Sequence, residues 1–519
     1  MRQSTRLILN TSATYLRMVL SVGLTMLATR VALKLLGYDD FGFQAAAVAT
    51  VGLAGFFADT LGFVAQRQLA VEVGRGDQSA LASAFNITLL LYASLSLLPL
   101  GAAAVLSFSP GSVLTVPSGR EEAARWVALL FGAQVSLVTL AAPFRLMFTV
   151  HQEIAQATVF DIVQVLLLLA AALSLYLVEG DRLVWYVALV VAGYAVMAGL
   201  LCIFAQRRYP ACRVRPAAAE RARLGEFLRL AGWSFVDSFS YRLSTQGVVM
   251  ALNSACGNVA SAGYAVALQL AGYQGTLAAA IGGAVTPAMF AVSGRGDQAS
   301  LLRLALAYGR YQCWMAMFFL VPIGLAADDV LSLWLKSHPP ETTLLVRLAL
   351  LAAAVPLLTN GYAVAIGAKG TIRGFALMMS ALNGLTFGLV AASFWVMDLR
   401  SSWVVPAAAL AVGLVGAPVR AVVIGRWIGL PVGRWLRETV WPVFAVGATG
   451  GAAAAVAIWA IPDASPGWRS AVPPLAAALA FASAALPAAW LLLPSDERAH
   501  FSRLGGALLG RVGLSRRAR

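Results

Sequence analysis

The residues of this chain best placed to do chemistry are a few charges set inside long apolar stretches. Arg17, Asp237, Arg242 and Arg310 all fall deep within such stretches, and Arg17 and Asp237 stand 220 residues apart. Arg17, Asp237 and Arg310 each lie about ten residues into a segment, or about 15 Å along a helix. An ionised group at the centre of a bilayer costs about 2.5–3.5 kcal/mol on insertion scales, so such groups ordinarily line a hydrated cavity. Guanidinium groups gathered in a cavity bind phosphate or another anion through several N–H donors at once. With Arg17, Arg242 and Arg310 set against Asp237, the expected cavity is net positive. The competing expectation is that Asp237 pairs with Arg17 or Arg242 simply to permit burial.

Polar residues flank these charges at helical spacing. Asn10, Thr14, Arg17, Ser21 and Thr25 share one face of a helix, and so do Ser234, Asp237, Ser238, Tyr241, Arg242 and Thr245. Arg30, followed by Lys34, stands further along the first stretch. Asp59 and Asp161 are the other acids within apolar segments. They are candidates for a coupling cation or proton, and hydrogen bonding to helix ends is the equal alternative. Arg145, near a segment end, is read as snorkelling to the interface. Pro99 and Pro322, and Pro143 and Pro356, fall in corresponding segments of the two halves and predict kinks.

Other chemistries find no support. GAKGT at 367–371 lacks the spacing of a phosphate-binding loop. Cys202, Cys212, Cys256 and Cys313 are scattered, as are His151, His338 and His500, so neither a metal site nor a redox motif is expected. No cofactor is implied. No nucleophile–base set stands out, and the loops are too short for an extramembrane catalytic domain.

The elements that must hold these charges follow from composition. Of 519 residues 60% are apolar and 12% charged, against about 25% charged in a soluble chain. The mean hydropathy is +0.79. This predicts an all-α polytopic membrane protein. Fourteen apolar segments are long enough to span: 9–36, 41–65, 83–108, 125–150, 155–178, 183–205, 227–253, 260–290, 301–327, 343–367, 373–397, 403–424, 439–461 and 472–493. Their continuous apolar character excludes β-barrel strands. The first segment is too long, and too charged at Arg17, for a cleavable signal. The net charge of +15 collects in alternate loops, above all in 206–226 and the C-terminal tail. That pattern places those loops and both termini in the cytoplasm and argues against nucleic acid as a partner.

The string GRGDQ occurs at 74–78 and again at 294–298, an offset of 220. LLGYDDFGF (35–43) and SACGNVASAGY (254–264) each link the first two segments of a half. The expected organisation is two parallel six-helix repeats plus two C-terminal helices. By residue number these are a lobe at 1–210, a basic linker at 211–226, a second lobe at 227–430, two added helices at 439–493 and a basic tail at 494–519.

LGYDDFG (36–42), preceded by Arg30, resembles the start of bacterial polysaccharide flippases, and GFVAQRQLAVEVGRGD (62–77) is similar to their second span and its basic loop. Those flippases belong to the multidrug, oligosaccharidyl-lipid and polysaccharide exporter superfamily. The resemblance implies an inner-membrane, non-enzymatic transporter of undecaprenyl diphosphate-linked oligosaccharide. Membrane lipids, a polysaccharide polymerase and a chain-length regulator are the implied partners, and a monomer is expected. Arg30 is carried over as a motif residue, and 439–493 as a groove for the lipid tail. The Arg-Asp pair of the lipid II flippase branch is missing from the first segment. The rivals are an ion-coupled multidrug exporter of the same superfamily, a membrane polymerase or ligase acting on lipid-linked sugars, and a scaffold that tolerates loss of the cavity charges.

Overall fold

The computed structural model describes residues 3–214, 235–369, 372–461, 471–499 and 502. Among them every regular element is helical and no strand occurs. In chain order the helices are α1 (Gln3–Gly52), α2 (Phe56–Arg75), α3 (Gln78–Leu95), α4 (Leu97–Phe108), α5 (Glu121–Val150), α6 (Ile154–Ser174) and α7 (Arg182–Arg208). Helix α8 covers 235–279 through a π-turn at Leu243–Gly247. Then come α9 (Gly282–Gly294), α10 (Gln298–Leu325), α11 (Ala327–Leu335), α12 (Glu341–Lys369), α13 (Ile372–Ala391), α14 (Val404–Ile428), α15 (Val432–Trp459) and α16 (Val472–Leu492). The protein is an all-α polytopic membrane protein, and each of the fourteen predicted segments is helical over most of its described length. Part of 227–253, most of the predicted linker 211–226 and most of the tail 494–519 lie outside the described residues.

Ten described helices are long and apolar enough to cross a membrane. An eleventh arises if α10 and α11, bent by 81°, are taken together. The count falls below fourteen partly because Leu20–Arg75 runs on for 56 residues. Its bend is at Gly37, where φ is +81°. Helix α8 bends in the same way at Gly257, where φ is +82°, 220 residues later. Only glycine adopts this backbone without strain, so one residue type kinks the helix at two equivalent places.

The repeated GRGDQ string has a structural role of the same kind. Gly76 and Gly296 both take φ +74° beyond the ends of α2 and α9. Asp77 then accepts the N–H groups of Ser79 and Ala80 at the start of α3, and Asp297 accepts that of Ser300 at the start of α10. The string is a helix stop followed by a helix N-cap. A third recurrence concerns carbonyls freed at breaks. Tyr92 Oη donates to the Ala58 carbonyl at 3.0 Å, and Gln312 Nε2 donates to that of Ala278 at 3.1 Å. Both donor and acceptor shift by 220.

The chain forms two compact units, Met1–Tyr273 with Trp334–Ala352 and Thr371–Leu414, and the remainder. Their limits cut across the sequence repeat. The first unit is cored by Phe43, Val51, Phe131 and Tyr186 among α1, α5 and α7, with a second cluster around Phe85, Phe144 and Phe148. In the second unit, Trp314 of α10, Val446 of α15 and Phe481 of α16 form a core of their own. The predicted proline kinks are partly visible: Pro99 follows a break at Ser96, and Pro356 sits in a 3-10 turn at Val355–Thr359.

Candidate functional site

Asp59 and Arg242 are 183 residues apart and meet inside the first unit. The chain reaches Asp59 through a single 3-10 turn at Leu53–Gly55, which puts the acid in the first turn of α2. Arg242 is the last residue before the π-turn of α8. Such turns widen a helix locally and recur at functional sites. Arg242 Nε donates to Asp59 Oδ2 at 2.6 Å and Nη1 to the Gly52 carbonyl at 3.4 Å. The guanidinium lies against Gly52 and Gly55, where a Cβ on Gly55 would stand 3.5 Å from Nη2. The side chains stay 25% and 44% exposed for Arg242 and Asp59, so the pair is in reach of water and of a ligand.

This pair lines a cavity of about 660 Å³ together with Tyr92, Gln134, Arg145 and Gln246. Arg145 faces the cavity rather than snorkelling, because Asp161 of α6 holds it by two hydrogen bonds of 2.7 and 2.9 Å. That second pair also borders a side cavity of about 300 Å³, between Phe160 and Gln164 of α6 and Tyr194 and Met197 of α7. A third space of about 440 Å³ is lined by Asp59, Asp237, Ser238, Tyr241, Arg242 and Thr245. The polar stripe predicted on α8 therefore does face a cavity. Arg242 pairs with Asp59 and not with Asp237, which has no ion pair among the described residues. The described lining thus sets Arg145 and Arg242 against Asp59, Asp161 and Asp237. The net-positive balance expected from the sequence is not found among these residues.

Arg310 accounts for part of that difference. It is 2% exposed and lies in the second unit. Nη2 binds both carboxylate oxygens of Glu497, at 2.8 and 2.6 Å, and Nη1 binds the Glu438 carbonyl at 2.7 Å. The guanidinium also stacks near the rings of Tyr311 and Trp314. These contacts fasten the chain after α16, and the first turns of α15, onto α10, so Arg310 is placed as a buried structural charge rather than a cavity residue. Arg30 is half-buried on α1 with no hydrogen bond to another described residue. The side chain of Arg17 lies outside the described residues.

The ends of the first unit predicted to face outward hold a polar clasp that sequence reasoning missed. Asn253, fully buried on α8, accepts the Thr115 N–H at 2.8 Å, and its carbonyl accepts the Thr115 hydroxyl at 2.9 Å. Asn253 Nδ2 donates to Asn258 Oδ1 at 2.8 Å. Gly42 touches the same place, where a Cβ would stand 1.8 Å from the Asn258 carbonyl oxygen. Tyr38 Oη donates to the Ser337 carbonyl at 2.7 Å. Arg120 is bridged to Asp40 and, at 2.8 Å, to Asp181. The second glycine of the LGYDDFG motif, Gly42, was a legible signal, and its meaning is close backbone approach.

No protein-family model matches the chain. Over 340 residues it is 25% identical to an uncharacterized membrane protein, EpsK, of Bacillus subtilis (strain 168). That match takes in 63% of this chain and 65% of the relative, so it spans just under two thirds of the relative's length. Among solved structures, the lipid II flippase MurJ in an inward closed conformation superposes with a TM-score of 0.60 at 10% identity, over 92% of this chain and 98% of that one. An outward-facing multidrug resistance MATE family transporter of the MOP superfamily gives 0.57 at 14% identity, over 81% and 95%. A MOP superfamily transporter from Pyrococcus furiosus, described as having reversed polarity in its binding pocket, gives 0.56 at 13%, over 82% and 96%. At these identities the likeness is one of fold, and this chain has the fold that these flippases and transporters share.

Proposed function

We propose that the chain is a flippase that carries an undecaprenyl diphosphate-linked oligosaccharide across the bacterial inner membrane, for polysaccharide or lipopolysaccharide synthesis. The observation that carries this reading is the cavity within the first unit, where Arg145 and Arg242 point into about 660 Å³ of space. Guanidinium groups in such a setting suit a diphosphate, because planar bidentate donors match its oxygens. Arg17 and Arg30 are assigned to the same anion path, and Asp59, Asp161 and Asp237 to charge balance or ion coupling. The lipid tail stays in the bilayer beside α15 and α16. The protein works as a monomer without cofactor or metal, with both termini cytoplasmic, and hands its cargo to a polymerase and a chain-length regulator. Alternating access proceeds by opening the clasp at Thr115 and Asn253 while the opposite ends close. Flippase and exporter structures of this fold support transport over enzymology.

A second reading has one observation in its favour. The three acids of the described lining outnumber its two arginines, which suits an ion-coupled exporter of organic cations. The test is transfer of a fluorescent lipid-diphosphate oligosaccharide in proteoliposomes, read by an impermeant quencher. The native chain is expected to move it, and Arg242→Ala to slow movement by about tenfold or more, as loss of a charge-assisted contact predicts. Failure of the native chain to move the lipid overturns the reading.

A further inference from the structure

Both cavity arginines are already occupied, and not equally. Asp161 holds Arg145 through both of its terminal nitrogens. Asp59 holds Arg242 through Nε alone and is itself 44% exposed. A guanidinium offers five N–H donors, so a single-point carboxylate leaves most of its binding capacity unused. The Gly52 and Gly55 backbone forms one wall behind the Arg242 head group, which fixes the head while leaving the carboxylate side open.

We infer that Asp59 is an internal competitor for the anion site: its carboxylate occupies Arg242 in the empty protein, and the ligand's phosphate must displace it to bind. This rests on the reading of the cavity as a diphosphate site. Two consequences follow from the charge arithmetic. The empty cavity carries no uncompensated guanidinium among the described pairs, so a small anion gains little by entering, because it exchanges one anion for another. A ligand that adds further contacts, to Arg145 or through a lipid tail, makes the exchange favourable. Displacement also unties α2 from α8, since the ion pair is a side-chain link between them. Binding and release of that link are then one event.

The experiment measures binding of farnesyl diphosphate and inorganic pyrophosphate to the full chain in nanodiscs. It compares the native chain, Asp59→Asn, Arg242→Gln and the double variant. A partly exposed ion pair is worth up to about 1 kcal/mol, so Asp59→Asn should tighten both ligands by about fivefold. In the Arg242→Gln background the same change should have no effect, because there is no site left to compete for. Asp237→Asn, which removes an acid from the adjoining space without touching the pair, should tighten binding less than Asp59→Asn. Thermal melts of each variant check folding, and Asp59→Glu, which restores the carboxylate, should return binding toward the native value. If native protein binds farnesyl diphosphate but Asp59→Asn leaves both affinities unchanged or weaker, the competitor role fails while the lipid-diphosphate reading stands. Equal tightening with and without Arg242 also overturns it, since that is general charge repulsion. If the native chain binds neither ligand and Asp59→Asn does not create binding, both readings fail.

Discussion

Replacing Gly42 by alanine should pull the clasp open. The added Cβ would stand 1.8 Å from the Asn258 carbonyl oxygen, 2.6 Å from its carbon and 3.0 Å from the Ala262 nitrogen, all backbone atoms that no rotamer change can move. Reaching ordinary contact requires about 1.5 Å of separation. The two bonds between Thr115 and Asn253, now 2.8 and 2.9 Å, would then exceed hydrogen-bonding range. Overpacking of this kind costs about 1–3 kcal/mol, charged only to the closed arrangement. That shifts its balance with an open one by about 5- to 150-fold. Cys256, beside the Gly257 bend, is a built-in reporter. Burial, reinforced by Glu341, pushes its thiol up to about 11. Exposure to water would return the thiol to about 8.5, raising its reactive thiolate by about two orders of magnitude at neutral pH. Labelling by an impermeant maleimide, read at the Cys256 peptide by mass spectrometry, should therefore accelerate by about fivefold or more, on the order of the population shift. Unchanged labelling in a Gly42→Ala protein that melts normally would refute the reasoning.

Other predictions follow from the ion pairs. Glu497→Ala leaves Arg310 buried with the Glu438 carbonyl as its remaining hydrogen-bond acceptor. After discount for the partial exposure of Glu497, a loss of about 2–3 kcal/mol is expected, seen as a lower Tm in detergent, with ligand affinity unchanged. A fall in affinity without loss of Tm would return Arg310 to the binding site. On the α6 side, the hydrogen bond from Arg208 holds the Glu153 carboxyl below its ordinary range, and Tyr209 adds to the effect. This contribution is present above the unfolded value near pH 4.5 and disappears as pH falls through the lower folded value. The Tm difference between native and Glu153→Gln should thus be constant from pH 7 to about 5 and shrink below about 4.5. A difference that grows on acidification would contradict the pairing. Asp77→Ala removes the acceptor of two N–H groups at the start of α3 and should cost about 1 kcal/mol, again read as Tm.

The fold was legible because bilayer crossing imposes a long apolar run at each span, and because glycine and aspartate mark where helices must turn. GRGDQ reads as a repeat in sequence and as a stop followed by a cap in structure. The site was only half legible. Asp59 and Arg242 stand out as charges in apolar segments, but their partnership depends on how α2 meets α8. Arg145 looked like an interfacial residue because its neutralising acid is on the next helix, 16 residues away. Arg310 looked like a substrate contact because its acid, Glu497, is 187 residues distant and lies beyond α16. Depth along a helix is written in the sequence, whereas the direction a charge faces, and the acid that meets it, are products of packing. The clasp was hidden for a related reason: Asn253, Asn258 and Thr115 are ordinary residues whose buried network appears only when their helices meet.

The central claim, that the cavity carries a lipid diphosphate, is tested most directly by competition in one vesicle preparation. Proteoliposomes holding the native chain are offered a quenchable lipid-diphosphate oligosaccharide and a fluorescent organic cation, with an ion gradient of either sign. The account predicts that the lipid crosses, that the cation does not, and that Arg242→Ala slows lipid crossing by about tenfold or more in folded protein. Movement of the cation alone, driven by the gradient and lost on Asp59→Asn, would contradict it.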